Sequence, residues 1–288
     1  MARWLVAGAG GMLGTDLVSR LGGEGGEHVV ALGRADLDIV DARAVREAVM
    51  TAKPDIVVNC AAWTLVDEAE TREEEAQAVN GDAVQEIALA CAELGARLIQ
   101  PSTDYVFSGT AREPYREDGQ TGPLNAYGRT KLAGERAVLS TLPDSGFVVR
   151  TAWLYGGSGR NFVRTIISLA GERETLDVVD DQRGQPTWTD DLAAGLIRLA
   201  RSDAAPGVYH ATSSGETTWY GLAREIFTLL GADPDRVRPV SSAAYTRAAV
   251  RPPYSVLGHA RWAAAGLEPM REWREALRQA WPVLVGTG

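Results

Sequence analysis

The segment that most constrains the fold lies at the start of the chain. The apolar run Arg3–Ala7 (RWLVA) passes directly into Gly8-Ala9-Gly10-Gly11-Met12-Leu13-Gly14, and Met12–Leu21 then reads as a helix. A buried strand, a glycine turn and a helix in that order form the phosphate-binding unit of a doubly wound α/β sheet. Each glycine of the GxxGxxG pattern has its own use. Gly8 allows the tight turn, Gly11 lets backbone approach a pyrophosphate, and Gly14 lets the helix lie close to the sheet. The N–H groups and dipole of the helix N-terminus favour the phosphate anion. A purely structural tight turn is the alternative reading of the same glycines.

The next 150 residues repeat the alternation. Val29–Leu32, Asp55–Cys60, Arg97–Pro101 and Phe147–Trp153 read as strands, and Ala42–Met50, Glu73–Leu94 and Ala126–Leu139 as helices. Short apolar strands between amphipathic helices predict a Rossmann-type doubly wound parallel sheet, buried on both faces. The second half is less regular, with helical stretches near Phe162–Gly171, Asp190–Arg201, Tyr220–Leu230 and Met270–Trp281. Prolines at 234, 239, 252 and 253 divide it into loops. The expectation is a dinucleotide-binding domain over residues 1–155 and a smaller, mainly substrate-binding C-terminal lobe over 156–288. The strand-like stretch 207–211 would return to the sheet.

Composition narrows the partners. The 288 residues carry a net charge of −9, which repels a phosphate backbone and argues against general nucleic-acid binding. Cys60 and Cys91 sit in apolar runs, with neither zinc-site spacing nor a disulfide framework. No window approaches the roughly 18 apolar residues of a membrane span. The N-terminus lacks the long apolar region of a signal peptide. These features predict a cytoplasmic protein without a membrane partner.

After the second strand comes Leu32-Gly33-Arg34. An arginine here can pair a 2′-phosphate, which tilts the expectation toward NADPH while leaving NADH possible. Arg34 can equally be a solvated surface residue. Asp38 either accepts a hydrogen bond from an adenine amino group or closes a turn. Ser102-Thr103-Asp104-Tyr105 follows the fourth strand, and Tyr127 and Lys131 stand four residues apart on a predicted helix, on one face. A phenol of pKa about 10 is a poor proton donor to a carbonyl, and a nearby ammonium lowers that pKa. Thr103 can donate to the same oxygen. His28, His210 and His259 are isolated and read as structural.

Longer blocks carry a resemblance. GAGGMLG, VNCAAWTLVDEAE, STDYVFSG, YREDGQTGPLNAYGRTKLAGE, RTAWLYG, DDQRGQPTW and GVYHATSSGETTWY run from residue 8 to about 220. With them, the chain resembles the extended short-chain dehydrogenase/reductases and, within them, the dTDP-4-dehydrorhamnose reductase family. It most resembles the actinobacterial members of antibiotic deoxysugar pathways. The resemblance implies NADPH-dependent reduction of the C4 ketone of a dTDP-linked 4-keto-6-deoxy sugar. Tyr127 would be the general acid, Lys131 its partner and Thr103 the third catalytic hydroxyl. Gly11, Met12, Leu13, Asp38, Ile39, Ala62, Trp63 and Thr64 fall where such enzymes hold the dinucleotide. Thr103, Asp104 and Trp153 fall where they meet the sugar nucleotide, and Asn161, Gln182 and Pro186 would complete that pocket. Trp153 can instead be core and Asn161 a helix cap. Ala7 departs from the threonine common in the wider family. Some relatives form a magnesium-bridged dimer through acidic residues. Asp16 and Asp190 stand near those positions, but aspartate is shorter than glutamate, so no metal is expected; a homodimer is possible.

Two other readings compete. An epimerase or 4,6-dehydratase would share the glycine turn, but a dehydratase needs an acid–base pair where this chain has Asp104-Tyr105. A dinucleotide-sensing regulatory subunit could share the fold without the chemistry.

Overall fold

The structure is a computed structural model, and it describes residues 1–23 and 27–286. The first half alternates strand and helix: β1 (Arg3–Ala7), α1 (Met12–Gly23), β2 (His28–Leu32), α2 (Ala42–Ala52) and β3 (Ile56–Asn59). Two short helices follow, α3 (Val66–Ala69) and α4 (Glu73–Gln77), then α5 (Ala83–Leu94), β4 (Arg97–Thr103), α6 (Ala126–Thr141) and β5 (Gly146–Thr151). The second half contains β6 (Leu154–Tyr155), α7 (Phe162–Glu172), β7 (Leu176–Val179), β8 (Arg183–Gly184), β9 (Thr187–Trp188) and α8 (Thr189–Arg201). It ends with β10 (Gly207–His210), β11 (Thr217–Thr218), α9 (Trp219–Leu229), β12 (Val237–Val240), α10 (Ala260–Ala264) and α11 (Trp273–Val285).

Six strands form one parallel sheet in the order β10-β5-β4-β3-β1-β2. The expected doubly wound α/β architecture is therefore present. Alternate residues of β1 point to opposite layers. Trp4 and Val6 pack with Leu13 and Leu17 of α1 and Leu192 and Leu196 of α8. Leu5 and Ala7 pack with Val45 of α2 and with Val84 and Ile87 of α5. A separate apolar cluster joins α7, α9 and α11 across β7 and β12, with Phe227 and Trp273 at its centre.

The chain crosses back to the sheet once, where β10 pairs with β5 from Gly207↔Phe147 to His210↔Arg150. The C-terminal elements are tied by very short pairings, β6 with β9, β8 with β11 and β7 with β12. Asp16 accepts from Thr189 at 2.5 Å, and Asp190 takes both arms of Arg20, so these carboxylates link α1 to the start of α8. Among the described residues no group of three or more His, Cys, Asp or Glu side chains converges as a metal site.

One expected helix is interrupted. Instead of a single helix over Glu73–Leu94, residues Ala78–Asp82 form a π turn between α4 and α5. The reason lies in Asn80 and Gly134. Asn80 accepts from Trp63 N–H at 3.0 Å and donates to Trp63 C=O at 3.1 Å and to Thr130 Oγ1 at 3.2 Å. Gly134 of α6 lies so close that a Cβ there would stand 2.2 Å from Asn80 O. The widened turn thus holds the Trp63 segment and α6 together. The last helix also differs, starting at Trp273 rather than Met270. Glu272 caps it by accepting from Arg274 N–H.

A buried ion pair fixes α6 to the sheet. Glu135 and Arg150 are 1% and 4% exposed. Arg150 of β5 donates from Nε at 2.9 Å and Nη2 at 2.7 Å to the Glu135 carboxylate. Ser102 Oγ of β4 donates to the same carboxylate at 2.6 Å. Arg150 Nη1 reaches Glu117 C=O and lies 3.5 Å from His210 Nε2. Removing one partner of such a pair leaves a buried charge uncompensated. Arg150→Met should therefore lower unfolding stability by about 3–5 kcal/mol, measured by chemical denaturation. Glu135→Leu combined with Arg150→Met should recover most of that loss.

Candidate active site

The glycine turn is built as a cradle. Gly8 takes φ 73°, and a Cβ on it would stand 2.4 Å from Ala61 N, beyond the end of β3. A Cβ on Gly14 would stand 2.3 Å from Gly8 O. Gly11 N–H donates to Gly8 O at 3.0 Å and closes the turn. Bare backbone at the N-terminus of α1 suits a pyrophosphate, so this cradle fits the dinucleotide expected from the sequence. Met12 is half-buried beside it, whereas the Leu13 side chain is buried in the core, leaving only its backbone toward the turn.

Arg34 stands exposed just past β2. Asp38 is exposed, and its Oδ1 accepts from Val40 N–H at 3.1 Å. Ile39 is buried under α2 with Leu37 and Val45, so its side chain belongs to the core. Ala62 and Trp63 are half-buried and Thr64 exposed, on the segment after β3 that Asn80 holds. Arg72 lies over the Trp63 ring at 4.7 Å.

Thr103 ends β4, and Tyr127 and Lys131 lie on the first turns of α6. Asn125 caps that helix, accepting from Gly128 N–H at 2.8 Å, while Glu70 accepts from Ala126 N–H at 2.7 Å. Gly128 lets the helix approach, since a Cβ there would stand 2.3 Å from Tyr105 O. The Thr103 side chain stands beside the Tyr127 hydroxyl and acts to lower its pKa. Lys131 Nζ donates to Pro101 C=O at 2.7 Å. Gln100 Nε2 donates to that same carbonyl at 3.0 Å, and its Oε1 accepts from Asn59 Nδ2 at 2.9 Å.

Burial controls the titration of this group, and here the geometry corrects the electrostatic expectation. Burial pushes the Tyr127 phenol up to about 12, with the Thr103 side chain pulling it down. It lowers the Lys131 ammonium to about 8, against the opposing influence of Glu135. The lysine is drawn to Pro101, so desolvation of the phenol outweighs any help from the ammonium. Asp104, 2% exposed, is raised to about 7 by burial, against hydrogen bonds from Ser255 and Thr103. Burial likewise raises Cys60 to about 12, the opposite of a reactive thiol. His210 is buried, and its Nδ1 lies 2.9 Å from Gly258 C=O.

A cavity of about 550 Å³ opens among the C-terminal elements, with Tyr105, in the turn after β4, as its wall residue from the first half of the chain. Its walls include Tyr105, Phe162, Gln182, Trp219, Tyr245 and Arg251. The Tyr105 ring also meets Tyr127 edge-on at 5.9 Å, so the cavity adjoins the catalytic group. Trp153 reaches the wall indirectly, stacked on Trp219 at 3.5 Å. Trp153 adopts φ 48°, rare for a bulky residue. A Cβ on Gly184 would stand 2.6 Å from its indole. Gln182 Oε1 accepts from Trp219 Nε1 at 3.2 Å. Pro186 is buried between β8 and β9, off the cavity wall. Asn161 caps α7, donates to Gly156 C=O at 3.0 Å, and lies 3.8 Å from Met12 Sδ. It therefore serves as a cap and also joins the glycine turn to the second lobe.

Sequence reasoning missed Arg251, Trp219 and Asn80. Arg251, on the cavity wall, donates to both oxygens of Asp67, at 2.8 and 2.7 Å. That pairing holds Asp67 down near 2. Trp219 lies in the GVYHATSSGETTWY block, but none of the three stands in a spacing that names a role.

The family described as RmlD substrate binding domain matches residues 2–284. The chain is 58% identical to a dTDP-4-dehydrorhamnose reductase of Streptomyces griseus, over 99% of this chain and 94% of that one. It is 57% identical to a dTDP-4-keto-6-deoxy-D-glucose reductase of Streptomyces niveus, over 98% and 97%. A crystal structure of dTDP-4-dehydrorhamnose reductase from Bacillus anthracis in complex with NADP superposes with a TM-score of 0.92. It is 36% identical and covers 97% of this chain and 98% of that one.

The cradle generates a direct test. Gly14→Ala should weaken NADPH binding by about tenfold or more, about 1.4 kcal/mol, in a fluorescence titration. Gly171→Ala, where a Cβ would meet open space, should leave it unchanged.

Proposed function

The chain belongs to the RmlD substrate binding domain family, and on that premise we propose how its residues act as an NADPH-dependent reductase of the C4 ketone of a dTDP-4-keto-6-deoxyhexose. The substrate is dTDP-4-dehydrorhamnose or a close deoxysugar of an antibiotic pathway. The observation that carries the reading is the juxtaposition of three groups. The Thr103 side chain stands beside the Tyr127 hydroxyl, Tyr105 joins them to the cavity, and Lys131 follows one helical turn later.

NADPH supplies the hydride when bound. The Gly8, Gly11 and Gly14 cradle holds its pyrophosphate, with Met12 and Leu13 contributing backbone. Arg34 meets the 2′-phosphate, Asp38 and Ile39 border the adenine, and Ala62, Trp63 and Thr64 line the other side. Thr103 donates a hydrogen bond to the C4 oxygen as negative charge develops on it. Tyr127 then protonates that oxygen. A phenol held near 12 is a strong enough base, once ionised, to recover its proton readily, and Lys131 stabilises the charged form in the interval. Gln182 lines the sugar-nucleotide pocket, Trp153 backs its wall through Trp219, Asp104 and Asn161 border it, and Pro186 supports it from behind the wall. In this assignment residues 1–155 serve the dinucleotide and 156–288 mainly the sugar nucleotide.

A dehydratase would need a carboxylate base beside Asp104. Burial and the Asp104 charge instead push the Tyr105 phenol far above neutrality. A regulatory subunit would have no use for the Thr103–Tyr127–Lys131 group. Among the described residues no helix is long and apolar enough to cross a membrane. We place the enzyme in the cytoplasm, acting without nucleic acid; a homodimer is compatible with this reading.

Tyr127→Phe should lower turnover at least about 10²-fold, the usual scale for a general acid. NADPH affinity should stay within about twofold, since the ring is retained. Turnover equal to the parent's would remove Tyr127 from the mechanism.

A further inference from the structure

Two non-glycine residues among those described take a positive φ, Lys53 and Trp153. Lys53 does so at the end of α2, where helices commonly close in this way. Trp153, at φ 48°, lies between β5 and β6, where no helix end accounts for it. A bulky residue in left-handed backbone persists only where its surroundings over-determine it. The place of this one matters. Thr151, two residues earlier, lies opposite Thr103 in the strand register, so the chain makes its unusual turn beside the catalytic group.

Three contacts hold the turn. The Trp153 indole stacks on Trp219 with centroids 3.5 Å apart and planes 7° apart. Bare backbone of Gly184 meets the same indole, since a Cβ there would stand 2.6 Å from Cε2. The Trp153 C=O accepts from Thr187 N–H at 3.2 Å. The pairing of β8 with β11 at Gly184↔Thr217 brings Gly184 and Trp219 to one ring. Trp219 is itself fixed. Phe162 packs on it at 4.6 Å, and Gln182 Oε1 accepts from its Nε1 at 3.2 Å. Thr218 caps the helix that Trp219 begins, accepting from Gly221 N–H at 3.0 Å.

These contacts differ in what they can select. Gly184 leaves room for the indole but offers no side chain to attract it. The Thr187 bond fixes the carbonyl and not the ring. The stack on Trp219 is the contact that favours one placement of the indole over others, and with it the left-handed backbone.

We propose that Trp219 is a positioning residue: by stacking on Trp153 it holds the left-handed turn beside Thr103, and so fixes where the sugar ring rests against Thr103 and Tyr127. This rests on the ketone-reductase reading and adds to it the residue that sets the seat of the sugar. Misplacing a reacting carbon costs turnover and not only affinity.

The test is a double-mutant cycle of Trp153→Leu, Trp219→Leu and the two combined. It is read as kcat and KM for NADPH-dependent reduction of dTDP-4-keto-6-deoxyglucose in the presence of a 3,5-epimerase. Trp219→Leu should lower kcat about tenfold or more. The double variant should lie within about twofold of Trp153→Leu, because each substitution breaks the same contact. Trp219→Phe keeps a stacking ring and should recover most of the loss. A rise in KM alone would make Trp219 a plain wall of the cavity. Losses that multiply in the double variant would make it act independently of Trp153. Either result overturns the proposal.

A further variant leaves Trp219 untouched. Gly184→Ala drives a Cβ into the Trp153 indole and should reproduce the loss of kcat; parental kcat in that variant would contradict the proposal. It also serves if Trp219→Leu does not fold. Another readout needs no substrate. Two closely stacked indoles couple as chromophores and give a circular-dichroism couplet. Trp153→Leu and Trp219→Leu should abolish the same couplet, and its survival in either would refute the stack. Absence of turnover in the parent would overturn the reductase reading and with it the role in that reaction, while the couplet would still decide whether Trp219 holds Trp153.

Discussion

One buried carboxylate holds the reactive helix to the sheet. Glu135 receives Ser102 from β4 and Arg150 from β5, and it sits one helical turn beyond Lys131. Ser102 immediately precedes Thr103, and Arg150 lies opposite Ser102 in the strand register. The pair therefore sets the distance between the end of β4, which carries Thr103, and α6, which carries Tyr127 and Lys131. A buried ion pair adds little net stability but penalises every arrangement that separates its partners. That is a suitable device for a site whose chemistry depends on two hydroxyls staying side by side.

The same burial that makes this anchor necessary determines the acid–base character of the site. It raises Tyr127 and Asp104 and lowers Lys131. All three shifts oppose charge, and near neutral pH Tyr127 keeps its proton while Lys131 stays mostly protonated. Proton donation to a developing alkoxide asks for that condition. Binding of a dinucleotide and a sugar nucleotide would bury the cluster further.

Much of the frame was legible in the sequence because its signals are local. The strand–glycine–helix unit announces itself within a dozen residues. The helix carrying Tyr127 and Lys131 begins where an asparagine caps it. The rest depends on partners far apart in the chain. β6, β8, β9 and β11 are two residues long and show no periodicity, so only tertiary pairing defines them. The π turn at Ala78–Asp82 answers to Gly134 and Trp63, neither of which is a neighbour in sequence. Arg251 closes on Asp67 from 184 positions away. The left-handed backbone of Trp153 has no local signature either, since a bulky residue is the last expected there. The Tyr127–Lys131 spacing gave a shared helix face, but not the depth of burial that raises the phenol or the pull of the Pro101 carbonyl on Lys131.

The central claim is that this cavity presents a sugar C4 ketone to the Thr103–Tyr127 pair with NADPH beside it. The most direct measurement is loss of NADPH absorbance on adding dTDP-4-keto-6-deoxyglucose, with and without a 3,5-epimerase. The account predicts NADPH consumption with a product reduced at C4. Dependence on the epimerase would identify dTDP-4-dehydrorhamnose as the ketone, and independence would identify the unepimerised sugar. No consumption of NADPH in either mixture, by enzyme shown to bind the cofactor, would contradict the account.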